Sequence, residues 1–91
     1  MARALVDVPA FLKQCTGDVA WIEVDGATVG ECLDRVVRRF PGIEPLLFSK
    51  KGSFHSHIEI YLNGVSTYPG ELLTPVHDGD RISMVYLMVG G

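Results

Sequence analysis

The sequence predicts an α+β domain, with one main helix packed across one face of a mixed sheet of four to five strands. Three observations carry this expectation. Strand-like segments stand near both ends of the 91-residue chain. One strongly amphipathic helix pattern lies between them. That helix and further connecting segments separate the first strand from the last, so those two, if they pair at the centre, must run parallel.

Each element follows in order. Residues 3–8, RALVDV, alternate and are partly β-branched, a strand that Pro9 ends. Residues 9–18 read as a connection with a short helical turn. Residues 19–24, VAWIEV, form a second strand, giving an antiparallel hairpin with a wide loop. After a turn at Asp25-Gly26, Thr28 and Glu31 have the spacing of a capping box. Val29, Cys32, Leu33, Val36, Val37 and Phe40 then recur in steps of three and four, one helical face. Arg38 and Arg39 sit where the helix dipole favours positive charge, and Pro41-Gly42 stops the helix. Gly30, in the first turn, costs about 1 kcal/mol relative to alanine.

Residues 43–56 read as irregular, with one helical turn around residues 44–48. Residues 57–62, HIEIYL, place Ile58, Ile60 and Leu62 on one strand face, and Asn63-Gly64 is the dipeptide of a tight hairpin turn. A weak strand at residues 65–68 answers it. Asp78-Gly79-Asp80 turns the chain into a last strand expected over residues 81–88. Hairpin, helix, then further strands with a parallel central pair is the β-grasp arrangement, predicted as a single domain over residues 1–91.

Composition narrows the function. At 47% hydrophobic and 21% charged, the chain is globular in character. A net charge of -3 with scattered basic residues argues against nucleic acid. No stretch approaches the ~18 apolar residues of a membrane span, and the N-terminal segment lacks a signal-peptide pattern, so the cytosol is the expected compartment. Cys15 and Cys32 make neither a disulfide framework nor a CxxC pair, and Cys32 reads as a small buried hydrophobe. His55 and His57 share a strand face, but no further ligand stands at recognisable spacing, so no metal site is expected. Phosphate-binding loops and a GxSxG elbow are absent from the sequence. The aromatics read as core or rim. The side chains do not compose an enzyme.

The last residues carry the chemistry. Met84 to Val89 are apolar at every position, and Gly90-Gly91 follow. A strand with one face on a helix needs apolar residues only at alternate positions. The other set, Val85, Leu87 and Val89, therefore forms a candidate docking patch, and Met88, next to the tail, is expected to join them as a partner-binding residue. A glycine pair arises by chance at on the order of 1 in 100 positions or fewer. Glycine offers no side chain to obstruct a narrow channel and tolerates unusual backbone. The carboxylate of Gly91, ionised at neutral pH, can attack an activated phosphate to give an acyl adenylate. Residues 89–91 are expected to form a flexible tail.

These features, taken in order, resemble the MoaD/ThiS family of ubiquitin-like sulfur carriers. The resemblance rests on VDGATVGECLDRVVRRFPGI, IEIYLNG, LLTPVHDGDRISM and the closing VGG. It implies that an ATP-dependent, ubiquitin-activating-type enzyme adenylates Gly91, that sulfur converts it to a thiocarboxylate, and that a sulfur-accepting synthase subunit consumes it. Gly90 supplies clearance. No cofactor is held permanently, and ATP belongs to the activating partner. The implied pathway is molybdopterin (or tungsten-pterin) biosynthesis, with the chain as small subunit of a synthase-like complex, or cysteine biosynthesis; the loop VPAFLKQCTG and the stretch GSFHSHIEIYLNG resemble most the cysteine-forming type and MoaD-like proteins of unassigned pathway. Val89 replaces the alanine of the commonest Ala-Gly-Gly ending. Two other readings are a ubiquitin-like modifier conjugated through Gly91 to lysines, and a β-grasp interaction module without chemistry.

Overall fold

The computed structural model describes residues 2–50, 53–54 and 58–86. Strands β1 (Ala2–Asp7) and β2 (Trp21–Gly26) form the expected antiparallel hairpin, in register from Ala2 opposite Gly26 to Asp7 opposite Trp21. Their wide connection contains a 3-10 turn (Ala10–Leu12) and the short helix α1 (Lys13–Thr16). The buried Thr16 hydroxyl faces the carbonyls of Lys13 and Val19 at 3.3 and 3.2 Å. β2 begins two residues later than the sequence predicts and includes Asp25 and Gly26, which were expected in a turn. Packing explains the extension. A Cβ on Gly26 would lie 2.8 Å from Cys32 Sγ and 2.9 Å from Cys32 N, so only glycine lets the strand end meet the helix.

Helix α2 (Val29–Arg39) starts as predicted, with Thr28 Oγ1 accepting from Glu31 N at 3.2 Å. The Glu31 carboxylate reaches back to Ala27 N at 2.9 Å, one residue beyond the usual capping-box partner. Val29, Cys32, Leu33 and Val36 are fully buried, and Val37 and Phe40 are half-buried. Each fully buried aliphatic side chain contributes roughly 1.5–3 kcal/mol. Gly30 also has a packing role: a Cβ there would sit 2.8 Å from the Leu72 carbonyl oxygen.

After Pro41–Ile43, helix α3 (Glu44–Leu47) supplies the expected turn. The segment read as irregular also holds a small antiparallel sheet of β3 (Phe48–Lys50) and β4 (Ser53–Phe54). Strands of three and two residues are too short to show a period. Ile43 and Leu47 are fully buried and join the same core as α2.

β5 (Ile58–Leu62) turns at Asn63 and Gly64, both at positive φ (53° and 83°), into β6 (Val65–Ser66). β7 (Arg81–Tyr86) closes the described fold. Among the described residues the main sheet has the order β2-β1-β7-β5-β6, with β1 and β7 parallel at its centre. Ala4, Val6, Ile22, Val24, Ile58, Ile60, Ile82 and Met84 face the helix side and are buried.

Among the described residues the buried core is aliphatic apart from Cys32 and Met84, and Phe11, Phe40 and Phe48 pack against it partly buried. Trp21 (55% exposed) and Tyr68 (74%) lie at the surface. Of the two positions open to the aromatics, these take the rim.

Candidate functional site

The candidate site lies where β7 leads toward the glycine pair. Side-chain bonds tie the start of β7 to the neighbouring hairpin, in addition to the burial of Ile82. Asn63 Nδ2 donates to Asp80 Oδ1 at 2.9 Å, and Asn63 Oδ1 accepts from Arg81 N at 2.9 Å. Asn63 N donates to Arg81 O at 2.8 Å, and His77 N donates to Asp80 Oδ2 at 2.8 Å. The Asn63 amide and the His77 N–H favour the ionised carboxylate, so Asp80 is held below the usual carboxylate range. Asparagine at a positive-φ turn position thus shapes the hairpin and ties it to the last strand.

Along β7 the side chains alternate strictly. Ile82 and Met84 enter the core, whereas Arg81, Ser83 and Val85 face away from the helix. Cross-strand pairing sets Ser83 opposite Tyr61 and Val85 opposite Glu59. Val85 is 38% exposed. Within the segment that follows α2, Ile43 and Leu47 are buried in the helix-side core, whereas Leu46 is exposed. Leu87, Met88, Val89, Gly90 and Gly91 lie outside the described residues, leaving Val85 as the described member of the expected patch.

The sheet face that carries Val85 is more polar than the sequence suggested. Arg81 Nε reaches Asp7 Oδ2 at 2.8 Å and Arg81 Nη2 reaches Asp7 Oδ1 at 3.0 Å, while Ser83 Oγ donates to Asp7 Oδ2 at 3.2 Å. The hydrogen bond and charge of Asp7 raise the Arg81 pKa. Beside them, Glu59 accepts from Ser66 Oγ at 2.8 Å and Tyr61 Oη at 3.2 Å. The Glu59 charge, then its hydrogen bond, pushes the Tyr61 phenol up. Trp21, opposite Asp7 on β2, stands on the same face.

Sequence reasoning named Val85 but missed the group of Asp7, Arg81, Ser83 and Trp21 that shares its sheet face. Their shared strand parity was a usable signal; the adjacency of β1 and β7 decided which residues met.

The side chains on this face offer a bidentate ion pair, hydroxyl and carboxylate hydrogen bonds and one exposed valine. Among the described residues, no group of three or more His, Cys, Asp or Glu is placed to hold a metal ion. His55 and His57 lie outside the described residues. Cys32 is fully buried, and burial pushes its thiol pKa up, the opposite of an activated nucleophile. No helix among the described residues is long and apolar enough to cross a membrane.

A family profile described as the ThiS family matches residues 6–91, from β1 through the glycine pair. The chain belongs to the ThiS family. Within and around that family, it is 28% identical over 89 residues to the sulfur carrier protein CysO of Mycobacterium tuberculosis, covering 94% of this chain and 96% of that one. It is 34% identical over 71 residues to small archaeal modifier protein 1 of Haloferax volcanii, covering 77% of this chain and 78% of the other. A chain in the crystal structure of the Amycolatopsis orientalis BexX/CysO complex superposes with a TM-score of 0.86 at 34% identity, covering 97% and 99% of the two chains. The β-grasp arrangement expected from the sequence is therefore the ThiS-family fold found here.

Proposed function

We propose that this chain is a sulfur carrier whose working group is the carboxylate of Gly91. The observation that carries the reading is the family match extending through Gly90-Gly91 on a β-grasp fold. Relatives named as a sulfur carrier and a small modifier support it.

In the proposed reaction, an ATP-dependent activating enzyme binds the outer sheet face and the apolar residues leading to the tail. The Gly91 carboxylate attacks the α-phosphate of ATP, pyrophosphate leaves, and an acyl adenylate forms. With hydrosulfide as nucleophile, the acyl carbon gains sulfur, AMP leaves, and a proton is released at neutral pH. The thiocarboxylate then serves a sulfur-accepting synthase subunit in cysteine or molybdopterin biosynthesis, and the CysO-type relatives favour the cysteine branch. Val85, Leu87, Met88 and Val89 are the proposed contacts with these partners. Gly90 provides the clearance for Gly91 to enter a narrow channel.

Similarity to small archaeal modifier protein 1 favours a second outcome, conjugation of Gly91 to lysine amines. The two outcomes separate experimentally. The chain is co-expressed with its activating enzyme and immunoblotted under denaturing, thiol-containing conditions. Free protein bearing a terminal thiocarboxylate supports carriage alone, and amide-linked conjugates through Gly91 support modification. A chain recovered with an unmodified carboxylate in the presence of active enzyme contradicts both.

A further inference from the structure

The outer edge of β2 carries backbone groups to which the sulfur-carrier reading assigns no role. Backbone direction alternates along an antiparallel strand. Leu5 N donates to Asp80 O, and Gly79 N donates to Arg3 O, so Arg3 and Leu5 direct their backbone groups toward β7. Val8 N donates to Ala20 O, which fixes the opposite phase for the β1–β2 ladder. Ile22 and Val24 therefore bond to β1, and the N–H and C=O groups of Trp21 and Glu23 point out of the sheet. Among the described residues none takes them up. At Asp25 the outward carbonyl is approached only by Arg35 Nε, at 3.4 Å.

A row of backbone donors and acceptors with this spacing fits an extended chain. Charge determines which chain. On the outer face the edge displays Glu23 and Asp25, beside an open hollow of about 800 Å³ that Arg3, Leu5 and Asp78 also line. Three carboxylates line this hollow against the Arg3 guanidinium, which lies 3.2 Å from Asp25 and 3.8 Å from Glu23, and Arg35 reaches the edge at the Asp25 carbonyl. A second copy of β2 is a poor occupant. The antiparallel register that overlaps Trp21, Glu23 and Asp25 sets Glu23 against Glu23, and like charges directly opposite are destabilising.

We propose that the β2 edge from Trp21 to Asp25 accepts an extended partner segment carrying lysine or arginine at alternate positions. The segment's backbone bonds to Trp21 and Glu23, and its basic side chains meet Glu23 and Asp25. Trp21, exposed at the edge, reports on occupancy.

The test titrates the ¹⁵N-labelled protein with a short blocked peptide alternating valine and lysine, and with its glutamate-for-lysine counterpart. Amide exchange should slow at Trp21 and Glu23, while Ile22 and Val24, already bonded within the sheet, stay unchanged. The lysine peptide should bind roughly five-fold or more tightly than the glutamate peptide. Glu23→Lys should reduce or reverse that preference. Backbone N-methylation of the lysine peptide should abolish binding. Equal binding of the two peptides, protection centred elsewhere, or a β2-mediated dimer that excludes the peptide would each overturn the proposal. The peptide comparison on the unaltered protein decides the matter even where a variant folds poorly.

Discussion

Arg81 on β7 chelates Asp7 on β1 through Nε at 2.8 Å and Nη2 at 3.0 Å, joining residues 74 apart in sequence. The pair spans the central parallel strands on the face opposite the helix, where Arg81 is 56% and Asp7 33% exposed by side chain. Bidentate geometry restricts both groups, but water and salt still reach them. Asp7→Asn should lower the urea midpoint at low ionic strength, and the deficit should shrink at high salt. Urea titrations of both proteins at two salt concentrations measure this; a salt-independent deficit would assign the effect to Ser83 packing rather than to charge.

Asp80 gives the start of β7 a pH dependence. Its folded pKa lies below its unfolded value because Asn63 and the His77 N–H favour the carboxylate. As pH falls, the unfolded chain takes up this proton first. The network therefore stabilises the fold above roughly pH 4 and loses that contribution as pH drops through the lower folded value. Asp80→Asn should be less stable at neutral pH, and the gap to wild type should narrow on acidification. Thermal midpoints across pH follow the gap directly, and a gap that widens in acid contradicts the assignment.

Gly30→Ala should destabilise the protein by about 1–3 kcal/mol, although alanine gains roughly 1 kcal/mol in helix propensity. The added methyl would meet the Leu72 carbonyl oxygen at 2.8 Å. Chemical denaturation tests the sign, and a stabilised variant would show that residues 70–74 yield without cost.

Val85→Lys should leave the thermal midpoint close to wild type, since the position is exposed and lies opposite Glu59. The same change should slow adenylation by the activating enzyme about ten-fold or more, the loss expected when a charge replaces an apolar contact at an interface. Pyrophosphate release at fixed enzyme concentration reads the difference. An unchanged rate would remove Val85 from the docking surface.

Much of this architecture was legible because strong local patterns agreed with the global arrangement. Helix α2 announced itself through Thr28, Glu31 and the Val29-to-Phe40 periodicity, and Asn63-Gly64 announced its turn. The parallel pairing of β1 and β7 followed from what lies between them. Gly26 and Gly30 were misread because their neighbours, Cys32 and Leu72, become close only when strand, helix and the segment after β6 assemble. The β3–β4 pair was too short to have a period. Asp7, Arg81, Ser83 and Trp21 were individually ordinary; the adjacency of β1 with β2 and β7 gathered them about Asp7 on the face that carries Val85. The proposed function turns on the glycine pair, whose message is chemical rather than conformational.

The central claim is most directly tested by intact-mass spectrometry of the protein incubated with its activating enzyme, ATP and sulfide. The wild-type chain should gain the mass difference of one sulfur replacing one oxygen, localised to Gly91 by fragmentation. The chain lacking Gly91 should show no such shift. Sulfur incorporation that persists without Gly91, or that maps to Cys15 or Cys32 in the wild type, would contradict the account.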